Sequence, residues 1–314
     1  MKRISFHAMA FCLMAILGLS SAWAENYSHT ADCQGGTTCA ADDDCDDCLD
    51  DCCCGGGGFV FDAEMLLWKY NRTDGTRVGT EGGPLGRGEH VNGNYNGAPR
   101  LTFGWIGDDG LGVRARWFEY THDQLANEGA PSRLNVDTYS FDLEVFEKVS
   151  LNECWSFELS GGLRYNEFDE TMRDGDEFRR NSFSGAGGVV GLQANRVAGN
   201  GQLYGRFRNA ILMDDRYVQN TDFGAVPVQQ DMILPEAVVG MTEISTGYEW
   251  TRNLSSGALL TLRAGYEWQM WHNYSSAFAG PISPIAGAVS GEAIFGGSSD
   301  VGFNGLTFSA GVEY

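Results

Sequence analysis

The chain has 314 residues, of which 43 are glycine, 43% are apolar and 20% are charged. A glycine share roughly twice the ordinary one disfavours a helical bundle, and the apolar content disfavours full disorder. The formal net charge of −21 is the opposite of the basic footprint that nucleic-acid binding needs, so nucleic acid is excluded as a partner class.

Residues 1–24 read as a signal peptide. Lys2 and Arg3 precede an apolar run from Ala8 to Leu19, and small residues at Ala22 and Ala24 mark the expected cut. No Cys follows that cut, which argues against a lipid anchor. Loss of Lys2 and Arg3 takes the charge to about −23. No later apolar run reaches the length of a spanning helix, so any membrane crossing must be made by strands.

Residues 25–54 hold Cys33, Cys39, Cys45, Cys48, Cys52, Cys53 and Cys54, with nine acids and no Lys or Arg. Such a segment cannot build a hydrophobic core and is expected to be disordered. Two readings stay open for its thiols: disulfides within or between chains, or a metal site using Cys45 and Cys48 as a C-x-x-C clip. Seven is odd, and Cys154 is the remaining cysteine beyond the signal peptide. The strand reading places Cys154 at the end of the barrel where the head would join it. Gly55 to Gly58 then form a flexible joint.

From Phe59 onward the dominant period is two, the signature of strands with one apolar and one mixed face. Trp155, Phe157, Leu159, Leu163 and Tyr165 alternate with Ser156, Glu158, Ser160, Gly162 and Arg164. Leu260, Leu262, Ala264, Tyr266, Trp268 and Met270 alternate with Thr261, Arg263, Gly265, Glu267 and Gln269. Ten strands are predicted, near 59–70, 99–107, 110–121, 134–149, 153–168, 182–195, 201–213, 236–252, 257–272 and 302–314. Several exceed the ~5–6 residues of soluble strands and reach the ~9–11 that cross a bilayer.

The predicted connections alternate. Those near 108, 151, 198 and 254 are short; 71–98, 122–133, 169–181, 214–235 and 273–301 are long, as expected of short periplasmic turns and long outer loops. Trp105, Trp155, Trp250 and Tyr314 are expected in an inner aromatic girdle, and Trp68, Tyr70, Trp117, Trp268 and Trp271 in an outer one.

With the apolar faces toward lipid, the mixed faces send Arg114, Arg116, Asp142, Glu144, Glu158, Arg164, Arg206, Arg208, Glu243, Glu249, Arg263 and Glu267 into the lumen. There they either pair and plug it or set the selectivity of an open pore. Acids including Asp123, Asp169, Glu170, Asp214 and Asp215 are expected in the outer loops, where they either form a cation-attracting mouth or are simply solvated and chelate divalent ions with the surrounding lipopolysaccharide. His122, Asp123 and His272 could meet at the outer rim as a His–acid pair. The chain lacks the nucleophile-elbow, zincin and P-loop motifs, and neither a catalytic residue nor a cofactor is expected.

The run from Phe59 to Trp68, the segment Gly161-Gly162-Leu163-Arg164-Tyr165, and the closing stretches Ala264 to Glu267 and Gly305 to Phe308 resemble the Legionella major outer membrane protein type of pore-forming barrels, which also occur widely in planctomycetes. The resemblance spans roughly 59–314 and implies pore formation. It also implies that the alternating strand Leu306, Phe308, Ala310, Val312 and Tyr314 is read by the barrel-insertion machinery, although Phe is the commoner last residue in such barrels.

The expected fold is all-β: a single transmembrane antiparallel up-and-down barrel of about ten strands at 59–314, preceded by a periplasmic Cys-rich segment at 25–58. The expected location is the outer membrane of a Gram-negative-type bacterium, in contact with outer-membrane lipid. The expected role is a passive pore for small polar or cationic solutes or an envelope structural protein, with self-association or envelope cross-links through its cysteines. The alternative is a plugged structural or adhesive surface protein without transport.

Overall fold

A computed structural model describes residues 57–72, 92–125, 133–152, 154–174, 177–222, 228–254, 257–272, 274 and 300–314. Residues 1–24, predicted as a signal peptide, and the seven clustered cysteines lie outside the described residues, as do 73–91 and 275–299.

Ten antiparallel strands close a barrel: β1 (Gly58–Arg72), β2 (Asn92–Ile106), β3 (Leu111–Leu125), β4 (Arg133–Asn152), β5 (Trp155–Asp174), β6 (Glu177–Ala198), β7 (Gly201–Asp222), β8 (Val228–Asn253), β9 (Leu259–His272) and β10 (Val301–Glu313). Each strand pairs with its sequence neighbour, and β1 pairs with β10, from Val60 against Glu313 to Arg72 against Val301. This is the predicted ten-strand up-and-down barrel. Closure gives every strand two neighbours, as a bilayer requires of any sheet that crosses it, although β2 and β3 pair only from Arg100 against Phe118 to Ile106 against Gly112.

One end of the barrel, called here the turn end, carries the tight connections together with Gly58 and Glu313. At the β2–β3 turn, Gly107 donates to the Leu111 carbonyl at 2.8 Å and Gly110 adopts a φ of 83°, a left-handed conformation that glycine takes without Cβ strain. The opposite, loop end is less regular than predicted. Residues 169–174 and 177–181 extend β5 and β6, and 214–222 and 228–235 extend β7 and β8. The predicted loops at 169–181 and 214–235 are therefore mostly hairpin. From 169 to 181 both faces are largely polar, which hides the two-residue period, because a strand rising above the hydrocarbon needs no apolar face. The wall is accordingly uneven, with 20 to 26 residues in each of β4 to β8 against 13 to 15 in β9, β10 and β1.

The outward face is apolar over its membrane-sized belt, with Phe61, Met65, Leu101, Phe103, Leu159, Leu163, Phe207, Leu262 and Phe308 exposed. This inside-out arrangement fits a lipid surround. Among the predicted girdle residues, Trp105, Trp155 and Tyr314 are exposed near the turn end. Trp68, Tyr70 and Trp271 are not in a girdle, because they point inward and are fully buried. Near the loop end β1 carries apolar residues on both faces, with Met65 and Leu67 outward and Leu66 and Trp68 inward, so its pattern gives no direction.

Candidate functional site

The lumen is the candidate site, and its inward side chains fall into layers. Toward the turn end lies a vestibule of about 100 Å³, bordered by Asp62, Arg114, Glu158 and Arg263 among others. Above it, ion pairs bridge the barrel. Nearest the loop end, apolar and aromatic side chains fill the cross-section.

In the ion-pair layer, β5 places Arg164 against Asp142 of the neighbouring β4 through two bonds of 2.6 and 2.7 Å. The same guanidinium reaches Glu243 of β8 at 2.8 Å. Arg208 of β7 donates to Glu243 at 2.7 Å and to Asp142 at 2.6 Å, and also reaches Glu144. Arg114 joins Glu144 at 2.8 Å to Glu158 at 2.6 Å. Arg206 meets Glu267 at 3.0 Å, and Arg263 meets Glu249. Arg116 comes no closer than 3.8 Å to Glu243. The twelve charged residues assigned to the lumen from the sequence thus fall into three ion-paired groups, eight around Arg208 and Glu243, the pair Arg206 and Glu267, and the pair Arg263 and Glu249.

Three members of the network were not anticipated from the sequence. Arg100 of β2 makes paired bonds of 2.9 and 2.5 Å to Glu267 and one of 2.8 Å to Glu64 of β1, and Asp62 sits 3.5 Å from Arg263. The alternation carries the signal: Asp62 and Glu64 oppose Phe61, Ala63 and Met65, and Arg100 opposes Leu101. Pro99 obscured the start of that strand.

Glycines on the inward faces make room for these long side chains. A Cβ at Gly191 would collide with Ser160 Oγ and press on Arg208 at 3.3 Å, and one at Gly247 or Gly265 would meet the Tyr204 hydroxyl.

The aromatic layer begins where the guanidinium of Arg100 lies 5.5 Å from the Trp68 ring and 5.3 Å from that of Phe118, within cation–π range. Trp68 packs on Phe118 and Phe303, and Tyr120 on Phe303. Phe168 of β5 touches Trp271 of β9 at 5.0 Å, Tyr274 at 4.6 Å and Phe303 of β10 at 6.1 Å. Strands β5 and β10 stand diametrically opposite in the ring, so aromatic contact runs across the full bore. Leu66, Leu134, Val136, Leu212 and Met241 pack around it.

The loop-end residues correct two expectations. Glu170 is not part of an acidic mouth: it faces inward, fully buried, and accepts from the Tyr70 hydroxyl at 2.6 Å. Asp169 faces outward and pairs with Arg180. Nor do the two histidines meet. His122 shares the inward face of β3 with Tyr120, 6.0 Å away between ring centres. His272 is on the outward face of β9, 3.0 Å from Thr242 Oγ1 and 3.8 Å from Asp300. At the turn end, the Cys154 backbone N–H donates to Asn152 Oδ1 at 3.0 Å; its proposed partners lie outside the described residues.

Several solved barrels are similar in shape. The outer membrane protease OmpT of Escherichia coli is 10% identical, with 82% of this chain and 96% of that one covered at a TM-score of 0.45. A major outer membrane protein of Thermus thermophilus is 15% identical over 61% of this chain and 97% of that one, at 0.37. The toluene transporter TodX of Pseudomonas putida is 10% identical over 82% and 89%, at 0.32. Likeness at this level transfers no activity. No curated protein matches the chain. The sequence profile described as Legionella pneumophila major outer membrane protein precursor matches residues 53–313, nearly the whole chain beyond the Cys-rich head. With a closed ten-strand barrel wearing its apolar side chains outward, the chain belongs to that family and is an outer-membrane β-barrel.

Proposed function

We propose that this barrel is a non-conducting structural protein of the outer membrane that displays its tall β4–β8 wall at the cell surface. One observation carries the reading: Phe168 and Phe303, on opposite strands, meet in mid-lumen among fully buried aromatic side chains. The plug is made of the wall's own residues, so no detachable segment has to leave for it to hold. The ion-pair layer beneath supports the same reading, since Arg208 and Arg164 each bind carboxylates from two other strands.

The turn end is assigned to the periplasm, where short connections belong. Residues 1–24 serve as the signal peptide, and the final strand is the segment offered to the insertion machinery. The seven cysteines of the head cross-link the chain to itself or to the envelope. That part stands on cysteine number and compartment and is tested separately, by electrophoresis with and without reductant; identical migration with no copurifying metal would remove it.

A passive pore is the second reading, favoured by the charged, open vestibule at the turn end. Single-channel recording of the refolded chain in a planar bilayer separates the two. A folded, heat-modifiable barrel is expected to be silent; steady cation-preferring steps would overturn the structural reading and establish the pore.

A further inference from the structure

The lumen network contains seven arginines, and six have a carboxylate oxygen at 3.0 Å or closer. Arg100 and Arg206 share Glu267, Arg114 has Glu158, Arg164 has Asp142, Arg208 has Glu243, and Arg263 has Glu249. Arg116 differs. Its side chain is 7% exposed, and its nearest carboxylate is Glu243, 3.8 Å away. Glu243 is already engaged by Arg164 at 2.8 Å, Arg208 at 2.7 Å and Gln269 at 3.2 Å. Arg116 Nη2 is buried with no acceptor among the described residues.

An isolated buried guanidinium is costly, because the loss of hydration is not returned by a partner. Arg116 is not walled in by apolar groups, however. It borders the turn-end vestibule, whose lining also includes Arg114 on its own strand, Arg206 of β7 and Arg263 of β9. The cavity therefore brings open space to the side chain of Arg116, whose Nη2 has no acceptor among the described residues.

We propose that the vestibule is a binding site for a small monovalent anion, held against Arg116 and entering from the turn end. The cavity, about 100 Å³, has room for a halide or a short carboxylate together with several waters, since about 10–15 Å³ of such space holds one water. The valence follows from the rest of the lining. Asp62, Glu64 and Glu158 border the same space, and their charges oppose a dianion while one negative charge is balanced by Arg116. The site is independent of whether the barrel conducts, because it lies below the aromatic plug.

Bromide serves as the probe. Crystals of the full chain grown in bromide and measured at the bromine edge should show an anomalous peak within about 3.5 Å of the Arg116 guanidinium, the range of N–H contacts to a large anion. In detergent solution at constant ionic strength, replacing gluconate with chloride at about ten times the dissociation constant should raise the unfolding midpoint by about 2–4 °C. The Arg116→Gln variant should lose that difference; Arg116→Lys, which keeps the charge, should retain part of it and provides the test if the glutamine variant fails to fold. A water in place of bromide, with equal midpoints in the two salts, would overturn the proposal. So would a chloride effect that persists undiminished in Arg116→Gln.

Discussion

The Tyr70 hydroxyl of β1 donates to Glu170 Oε1 of β5 at 2.6 Å, four strands away around the ring. Both residues are fully buried, so the bond ties opposite parts of the wall inside the aromatic layer. Tyr70→Phe keeps the ring packing and removes one bond to a buried carboxylate, at a cost of about 1–3 kcal/mol. The expected result is a lower thermal midpoint in detergent, with Glu170→Gln restoring part of it in the double variant because the neutral amide tolerates the missing donor better. Equal midpoints for the wild type and Tyr70→Phe would show that the tie contributes nothing.

The plug itself can be emptied. Phe168→Ala with Phe303→Ala removes two rings that meet from opposite strands, and each truncation costs about 3–5 kcal/mol in a well-packed site. If the barrel survives, the double variant should conduct in a planar bilayer where the wild type is silent. A folded double variant that stays silent would place the seal in the ion-pair layer instead.

Ion pairs at different depths should respond differently to the same change. Arg208→Ala strands three carboxylates, Asp142, Glu144 and Glu243, in the buried layer, and loss of one partner from such a cluster costs about 3–5 kcal/mol. Arg180→Ala breaks a single pair with Asp169, both of them partly exposed, and should cost under about 1 kcal/mol. Urea or thermal titration of the two variants in the same detergent tests the ordering; comparable losses would contradict it.

Tryptophan direction is directly measurable. In single-tryptophan variants placed in bilayers containing brominated lipid, Trp105 and Trp155, exposed on the outward face, should be strongly quenched. Trp68 and Trp271, with no exposed surface, should be spared. Quenching of Trp68 would return it to the lipid girdle and remove the centre of the plug.

These contrasts also mark what the sequence could disclose. Where one face is apolar and the other polar, as in Leu260 to Met270 against Thr261 to Gln269, alternation alone gives strand and direction, and the structure agrees. It says which charges face inward but not which meet. Arg164 lies beside Asp142 through strand pairing, yet its bond to Glu243 spans β5 to β8, a distance fixed only by closing the ring. Alternation fails twice for opposite reasons. Around Met65 to Trp68 both faces are apolar, because one meets lipid and the other fills the lumen. From Asp169 to Asn181 both faces are largely polar, because the hairpin stands clear of the hydrocarbon.

The β1–β10 seam has a kinetic consequence. Its pairs, such as Val60 with Glu313, join residues separated by nearly the whole barrel sequence, so their loop-closure cost is the largest of any strand pair and they are expected to form late. Until they do, both strands present bare edges that invite pairing with another chain. Trp68 and Phe303, which stack 5.5 Å apart, belong to those two strands. The bore is therefore stoppered only by the event that finishes the wall, and an unsealed lumen is the mark of a chain that has not finished folding.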